Sequence, residues 1–591
     1  MTTVSTATTT DSSWFGHPRQ LARLFSTEAM ERFGFYGMRA LLALYLVLHF
    51  QYAGAAAGRL VGGYLALVYL TPFLGGMLAD RVLGYKRAVK FGALVMSAGY
   101  LLLCFGGAPA KPYADIDGQR YTIAVVGSGN AAAQYITDHG SRLKIHGNED
   151  GSVTLQRADG SVARHIAGSD FRPDATRDPF YATLALVSLA LISIGNAFFK
   201  PNISTIVGSL YAADDPRRDA GYAIFYMGIN LGSLFSQIIC PMLAVGMGSW
   251  PGIGWGAGFG LAAVGMLVAF VLIQFSGEQL RGFGEAPTTA TPRAAWAVYV
   301  GTLLAVPLVW WLLSDVLLDS GGESAVGVMA YIASLPLLGK LLGLSFLIII
   351  PSVLVWAWRT GTRAQAEMMT AAVILLLFNT VFMSLFEQAA SSLTLFAQQN
   401  TDMSVFGLFE ISAGQTQFFN AIFIVALTPV FAWTWRKLRA RQSEPAIPVK
   451  FALGIIGAGA GFLFLVWGSH YVDASWRVGL WWLVGLYLIH SIAELCIQPV
   501  GLSMISKLSM PRVVGLMYGV WFLSIAVAEF IAGALAALAS TKTVAGAVTN
   551  PRLSLETYVA SFWNVGWFAV GAGVLLLVLA RPMRRLMHGV N

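Results

Sequence analysis

Charge is what this sequence has least of. Asp, Glu, Lys and Arg make up 12% of its 591 residues, where a soluble globular protein carries about 25%. That scarcity excludes an ordinary soluble domain, because the hydrophobic 56% is strung into recurrent apolar runs of about 20 residues, the length that crosses a bilayer. Cysteine is nearly absent as well. Cys104, Cys240 and Cys496 lie in separate apolar stretches, which leaves no disulfide framework and no metal-ligand spacing. There is no Ser-His-Asp arrangement in matching loops and no phosphate-cradling glycine loop. The chain is therefore expected to be neither an enzyme nor the holder of a cofactor. The opening MTTVSTATTTDSS has no apolar core and does not read as a cleaved signal.

What is present is a succession of membrane spans. They fall near 24–50, 57–79, 86–106, 180–210, 220–246 and 255–275, then near 367–391, 415–435, 450–470, 478–507, 512–538 and 557–580, with two more near 294–316 and 338–358. Two sets of six predict a transporter made of two six-helix halves. The middle pair is even in number and does not invert the second half. The net charge of +8 does not point to nucleic acid, because the basic residues gather in short connections: Arg19 and Arg23; Arg81, Lys86, Arg87 and Lys90; Arg436 to Arg441; Arg581 to Arg585. Such clustering predicts cytoplasmic loops and two cytoplasmic termini.

Residues 107–178 contain no span. The stretch LKIHGNEDGSVTLQRADGSVARHI alternates apolar and polar residues around Asp-Gly turns, which predicts short antiparallel strands. Span counting places them outside the cytoplasmic face. The plainer expectation is a stabilising insertion on the rim. The alternative is that it restricts access to one opening or braces one gate.

Against this apolar background, charges inside the spans stand out. A charged residue at the centre of a span costs about 2.5–3.5 kcal/mol on insertion scales. In the first span, EAMERFGFYGMR puts Glu28, Glu31, Arg32, Phe35, Tyr36 and Arg39 within one arc of a helix. The fourth has Lys200 beside Asn196 in GNAFFKPNIS, and the seventh has Glu387 in NTVFMSLFEQAASS. The tenth aligns Tyr487, His490, Glu494 and Gln498 on one face. Ionisable groups inside spans line cavities or pair with one another. A cavity holding both signs suits a zwitterion, with cations for a carboxylate and an anion for an ammonium.

These stretches resemble the proton-dependent oligopeptide transporter family of the major facilitator superfamily. The family's first-span motif ExxERFxYYG is matched by EAMERFGFYG, with Phe35 at the first tyrosine. GNAFFKPNIS, FYMGINLGSLFS, LFEQAASSLTLFAQQNTD and AELCIQPVGLS look like further family signatures, and GGMLADRVLGYKR is similar to the superfamily's cytoplasmic loop. The likeness runs from about residue 20 to 580 and omits the insertion.

The resemblance implies an all-α membrane protein with the major facilitator fold of two six-helix bundles, to which the spans and strands read above add two extra helices and a small external β-rich insertion. The expected division is a tail 1–20, an N-terminal bundle 21–276 containing 107–178, a linker with two helices 277–360, a C-terminal bundle 361–580 and a tail 581–591. The implied activity is import of di- and tripeptides by proton symport across the inner membrane, with no partner beyond peptide, protons and lipid, in a chain that works as a monomer. Transport of another anion or amino-acid conjugate is the alternative. By resemblance, Glu28, Glu31, Arg32 and Glu387 serve proton coupling. Arg39 and Lys200 take the peptide carboxyl end, and Glu494 takes the amino end. Tyr36, Tyr69, Asn230, Asn420 and Trp521 complete the pocket. Arg39–Glu387 and Lys200–Glu494 form the gates. This chain departs from the family at Met383, where a tryptophan is usual, at Gln498, where a serine is usual, and at QFFNA, which keeps Gln417 and Asn420 but lacks a proline. It also lacks the second-span histidine of animal members, which leaves coupling to carboxylates. His490 is expected to pack through a hydrogen bond and not to replace that histidine.

Overall fold

The computed structural model describes residues 14–126, 133–138, 140–212, 215–288, 290–319, 328–541 and 543–590. Apolar runs of bilayer length form helices because only a helix satisfies its own backbone in lipid. In chain order these are α1 (Arg19–Leu44), α2 (Gly54–Leu83), α3 (Tyr85–Leu103), α4 (Pro179–Ser209), α5 (Arg218–Val245), α6 (Trp255–Gln274), α7 (Pro292–Leu318) and α8 (Leu337–Thr360). They continue as α9 (Arg363–Asn400), α10 (Ala413–Ala440), α11 (Ile447–Gly468), α12 (Leu480–Leu508), α13 (Val514–Ala539) and α14 (Pro551–Leu586). Among the described residues, twelve of these are long and apolar enough to cross a membrane. The other two, α1 with 26 residues and α3 with 19, are long enough to cross, but their charged residues lower the hydropathy. Several helices outrun the expected spans. Helix α9 passes Glu387 through a tight turn, Glu387–Ala390, and resumes as Ser392–Asn400.

Apart from α2 and α13, which pack chiefly on each other, helices α1 to α6 pack mainly among themselves, and α9 to α14 do the same. Of the extra pair, α7 lies on α2 and α4, while α8 lies on α9 and α13. Each half thus carries one added helix on its flank. The two halves meet along α2 against α13 and α5 against α10. Glycine sets the first of these seams: a Cβ on Gly62 would stand 2.5 Å from the Glu529 carbonyl oxygen and 2.6 Å from the Gly533 Cα. Small residues of this kind let backbones approach where no hydrophobic force separates helix from lipid.

Among the described residues the insertion forms one seven-stranded antiparallel sheet. Its strands are β1 (Lys111–Ile116), β2 (Gln119–Val126), β3 (Ala133–Asp138), β4 (Ser141–Gly147), β5 (Val153–Gln156), β6 (Val162–Ile166) and β7 (Phe171–Thr176). Their order is β6-β5-β4-β3-β2-β1-β7. The Asp-Gly turns lie where the alternation predicts, with Gly118, Gly151 and Gly160 at positive φ. One face is apolar and holds Ile116, Ile123, Ile136, Leu143, Ile145 and Leu155. That face is closed by Val544, which comes from the turn between α13 and α14 and is 2% exposed. Beside it, Asn550 Nδ2 donates to the Gly147 oxygen at 2.9 Å, and Arg552 pairs with Glu149 at 3.1 Å. On the other side Arg177 donates to the Phe50 and Gln51 oxygens. The sheet therefore holds to both halves at one end of the bundle, which the sequence did not foretell.

Candidate functional site

Helix α1 carries its charges on one face because its other face has no room. A Cβ on Gly37 would meet the Cys240 Sγ at 2.6 Å, and one on Gly34 would meet the Ala262 oxygen at 2.9 Å. The glycines of ERFGFYG seat the helix against α5 and α6. Glu28, Arg32, Tyr36 and Arg39 are thereby turned to a cavity between the two halves. Its volume is about 280 Å³, fit for a small molecule and not for a folded partner.

Arg32 is 4% exposed, and its Nε lies 2.8 Å from Glu28 and 2.7 Å from Glu31. One guanidinium thus serves two carboxylates in a dry setting, where a charge without a partner is expensive. Glu31 sits fully buried behind Arg32, whereas the other eleven residues expected at the site all line the cavity. Deeper in, Arg39 is ion-paired with Glu387. Glu387 follows directly on the segment Arg363–Phe386, where the helix dipole opposes a negative charge, so the arginine offsets both. The Arg39 guanidinium also lies 5.8 Å from the Tyr36 ring centre.

Lys200 is presented by α4 immediately before Pro201, with its Nζ 4.2 Å from the centre of the Tyr69 ring. Across the cavity Asn420 Nδ2 donates to Glu494 at 3.2 Å and to the Ser491 hydroxyl at 3.1 Å. Among the described residues no ion pair joins Lys200 to Glu494, although both line the one cavity. The two expected gates are thus in opposite conditions: Arg39–Glu387 is made and Lys200–Glu494 is apart. Asn230 donates to the Tyr226 oxygen on its own helix at 3.1 Å, and Trp521 forms part of the wall. His490 bonds the Ala458 oxygen at 3.0 Å and meets Phe462 edge-on, a hydrogen-bonded packing role. Met383 and Gln498, the two departures from the family pattern, touch each other: the Gln498 amide lies 3.0 Å from the Met383 sulfur.

The sequence motifs do not point to Tyr226, which lines the cavity, or to Glu529, a carboxylate 1% exposed on α13. Glu529 lies in VWFLSIAVAEFIAG with no polar stripe around it. The signal was available nonetheless, since an ionisable residue within a span is a functional candidate by itself.

The cavity, its charges and the paired halves agree with a family model that matches residues 86–551, that of the POT family. The chain belongs to the POT family. Its relatives are of nearly its own length. Dipeptide and tripeptide permease A of Edwardsiella piscicida is 29% identical over 577 residues, covering 97% of this chain and 96% of the relative. The permease of the same name from Escherichia coli (strain K12) is 28% identical over 574 residues, covering 97% and 94%. A crystal structure of peptide transporter POT in complex with sulfate superposes on this POT-family chain with a TM-score of 0.71 at 29% identity, covering 98% and 97%. The helices thus make up a multi-pass membrane protein with the major facilitator architecture of POT transporters.

Proposed function

We propose that this protein is a proton-coupled symporter that imports di- and tripeptides across the inner membrane by alternating access. One observation carries the reading: a cavity between the halves presents Arg39 and Lys200 from one half and Glu494 from the other. A peptide zwitterion bridging them draws the halves together around itself, which is the logic of a rocking transporter. Glu28, Glu31 and Arg32 form the coupling cluster beside it.

The state of the cavity supports a direction. On the side of the sheet the halves are sealed by the Gly62 seam, by the Arg39–Glu387 pair and by Gln415 donating to the Ile238 oxygen at 3.1 Å. On the far side the cavity reaches exposed Tyr226 and Leu502 near the remote ends of α5 and α12. The basic clusters Arg19 to Arg23, Arg81 to Lys90, Arg436 to Arg441 and Arg581 to Arg585 gather at that same far end. By the positive-inside rule it is cytoplasmic, as are both termini. The cavity then faces inward, with the sheet outside. Lys200 and Glu494 would close the inner gate and Arg39 with Glu387 the outer one, within a single chain acting as a monomer.

Uptake of labelled dialanine into liposomes containing the purified protein tests the reading. An imposed inward proton gradient should drive accumulation above the outside concentration, and a protonophore should abolish it. Gradient-independent uptake, or none, would sink the proposal.

A further inference from the structure

Glu529 has no part in the roles assigned above, yet it is the most enclosed carboxylate beside the cavity other than Glu31. It is 1% exposed, and neither of its oxygens has a hydrogen-bond partner in the protein. It stands on α13 one helical turn beyond Ile525, which lines the cavity, and at the level of Gly62 on α2. This is the floor of the seam that separates the cavity from the outer side. The charged and titratable groups facing it from the surrounding elements are Arg39 on α1, Tyr69 on α2, Lys200 on α4 and Glu387 on the turn within α9. Arg39 in turn keeps a buried Nε–H with no acceptor, although its Nη2 is paired with Glu387.

We propose that Glu529 is a second proton-binding carboxylate of the transport cycle, working on the same arginine as Glu387. The inference rests on the reading of this chain as a proton-coupled transporter. With the seam open, water from the outer side reaches Glu529, which is ionised and faces Arg39. As α2 and α13 close, that water leaves. Two carboxylates against one guanidinium then strand a negative charge in a dry interface, where an unpaired ion is far costlier than a neutral acid. Closure therefore requires one proton: an O–H bond of hydronium breaks and an O–H bond forms on Glu529, while Glu387 keeps the arginine. When the peptide carboxylate departs inward, Lys200 and Arg39 lose their anion and face Glu529. They favour its ionisation, and the proton leaves through the cavity one turn away. Outer closure and peptide release are thus each tied to the same proton.

Two measurements test this. Infrared difference spectra of the purified wild type and Glu529→Gln, taken at acid pH where protons load the carboxylate without peptide, should show the C=O stretch of a protonated carboxylic acid that is lost in the variant. This arm needs no peptide, and it decides the protonation of Glu529 even if dialanine proves not to be a substrate. Absence of that band overturns the proposal. In liposomes, the proton-to-dialanine ratio, read from the membrane potential at which net flux reverses, should fall by one in Glu529→Gln and be restored in Glu529→Asp. An unchanged ratio in a variant that still exchanges dialanine overturns the coupling role, even where the infrared band is present. A wild type that moves no dialanine counts against the transport reading itself.

Discussion

At the scale of single residues, the site is a problem of pairing. Glu31 is buried against Arg32, a cation that it shares with Glu28, and a proton arriving on either carboxylate loosens the cluster. We predict that Glu31→Gln abolishes accumulation driven by a proton gradient while counterflow of labelled against unlabelled dialanine stays measurable; concentrative uptake by the variant would refute the assignment. Glu494 offers its carboxylate across the cavity with Asn420 as its neighbour. A hydrogen bond to a charged group is worth about 1.5–3 kcal/mol, so blocking the peptide amino end should weaken binding roughly 10- to 100-fold in the wild type. In Glu494→Gln the penalty for blocking should shrink toward none. An equal penalty in both proteins rules Glu494 out as the amino-end partner.

Elements decide what the pairs can do. Helix α2 touches α13 through glycine, so this seam, the outer one in the proposed orientation, has no slack. Leucine in place of Gly62 overpacks it, at a cost of about 1–3 kcal/mol to the closed arrangement. We predict that Gly62→Leu opens the outer side, read as faster labelling of an introduced Ser540→Cys by an impermeant maleimide, because Ser540 faces Gly54 at the outer end of the same seam. Unchanged labelling would mean that the seam is not the outer gate. At the opposite end, the link between α10 and α11 is pinned by Glu444, which receives Arg439 at 2.7 Å and Lys450 at 2.7 Å. The hydrogen bond from Arg439, with help from Lys450, holds the Glu444 carboxyl at about 2, below its ordinary 4.5. A carboxylate depressed on folding contributes stability above its unfolded value and loses it as pH falls through the folded one. The melting-temperature gap between wild type and Glu444→Gln should therefore be full above pH 4.5 and close as pH falls toward 2. A gap that does not vary with pH would show that the carboxylate charge contributes nothing.

On the scale of the whole molecule, the sheet changes meaning. From its sequence it reads as an appendage to the first half. In the structure its apolar face takes Val544 from the second half, with Asn550 and Arg552 alongside, and under the proposed function it spans the seam that must part for the outer side to open. We predict that replacing residues 110–176 by a short Gly-Ser linker speeds labelling of Ser540→Cys and alters the apparent affinity for dialanine at an unchanged melting temperature. Unchanged labelling and kinetics would return the sheet to the status of a passive rim.

Sequence by itself determined the class of this protein, because hydropathy is a local property: a run of apolar residues needs a bilayer wherever it lies in the fold. It also determined which residues carry the expensive charges, since a glutamate inside a span is conspicuous without a structure. The same holds for the alternating strands and their Asp-Gly turns. Only the tertiary structure decided which charges meet. Arg39 and Glu387 are 348 positions apart, and no periodicity within one helix encodes a partner on another. The contact of Met383 with Gln498 and the seating of Val544 in the sheet depend in the same way on how the two halves dock. Glu529 shows the boundary most sharply. Its cost in an apolar helix is visible in the sequence, but which cation it faces depends on how α1 and α13 pack together.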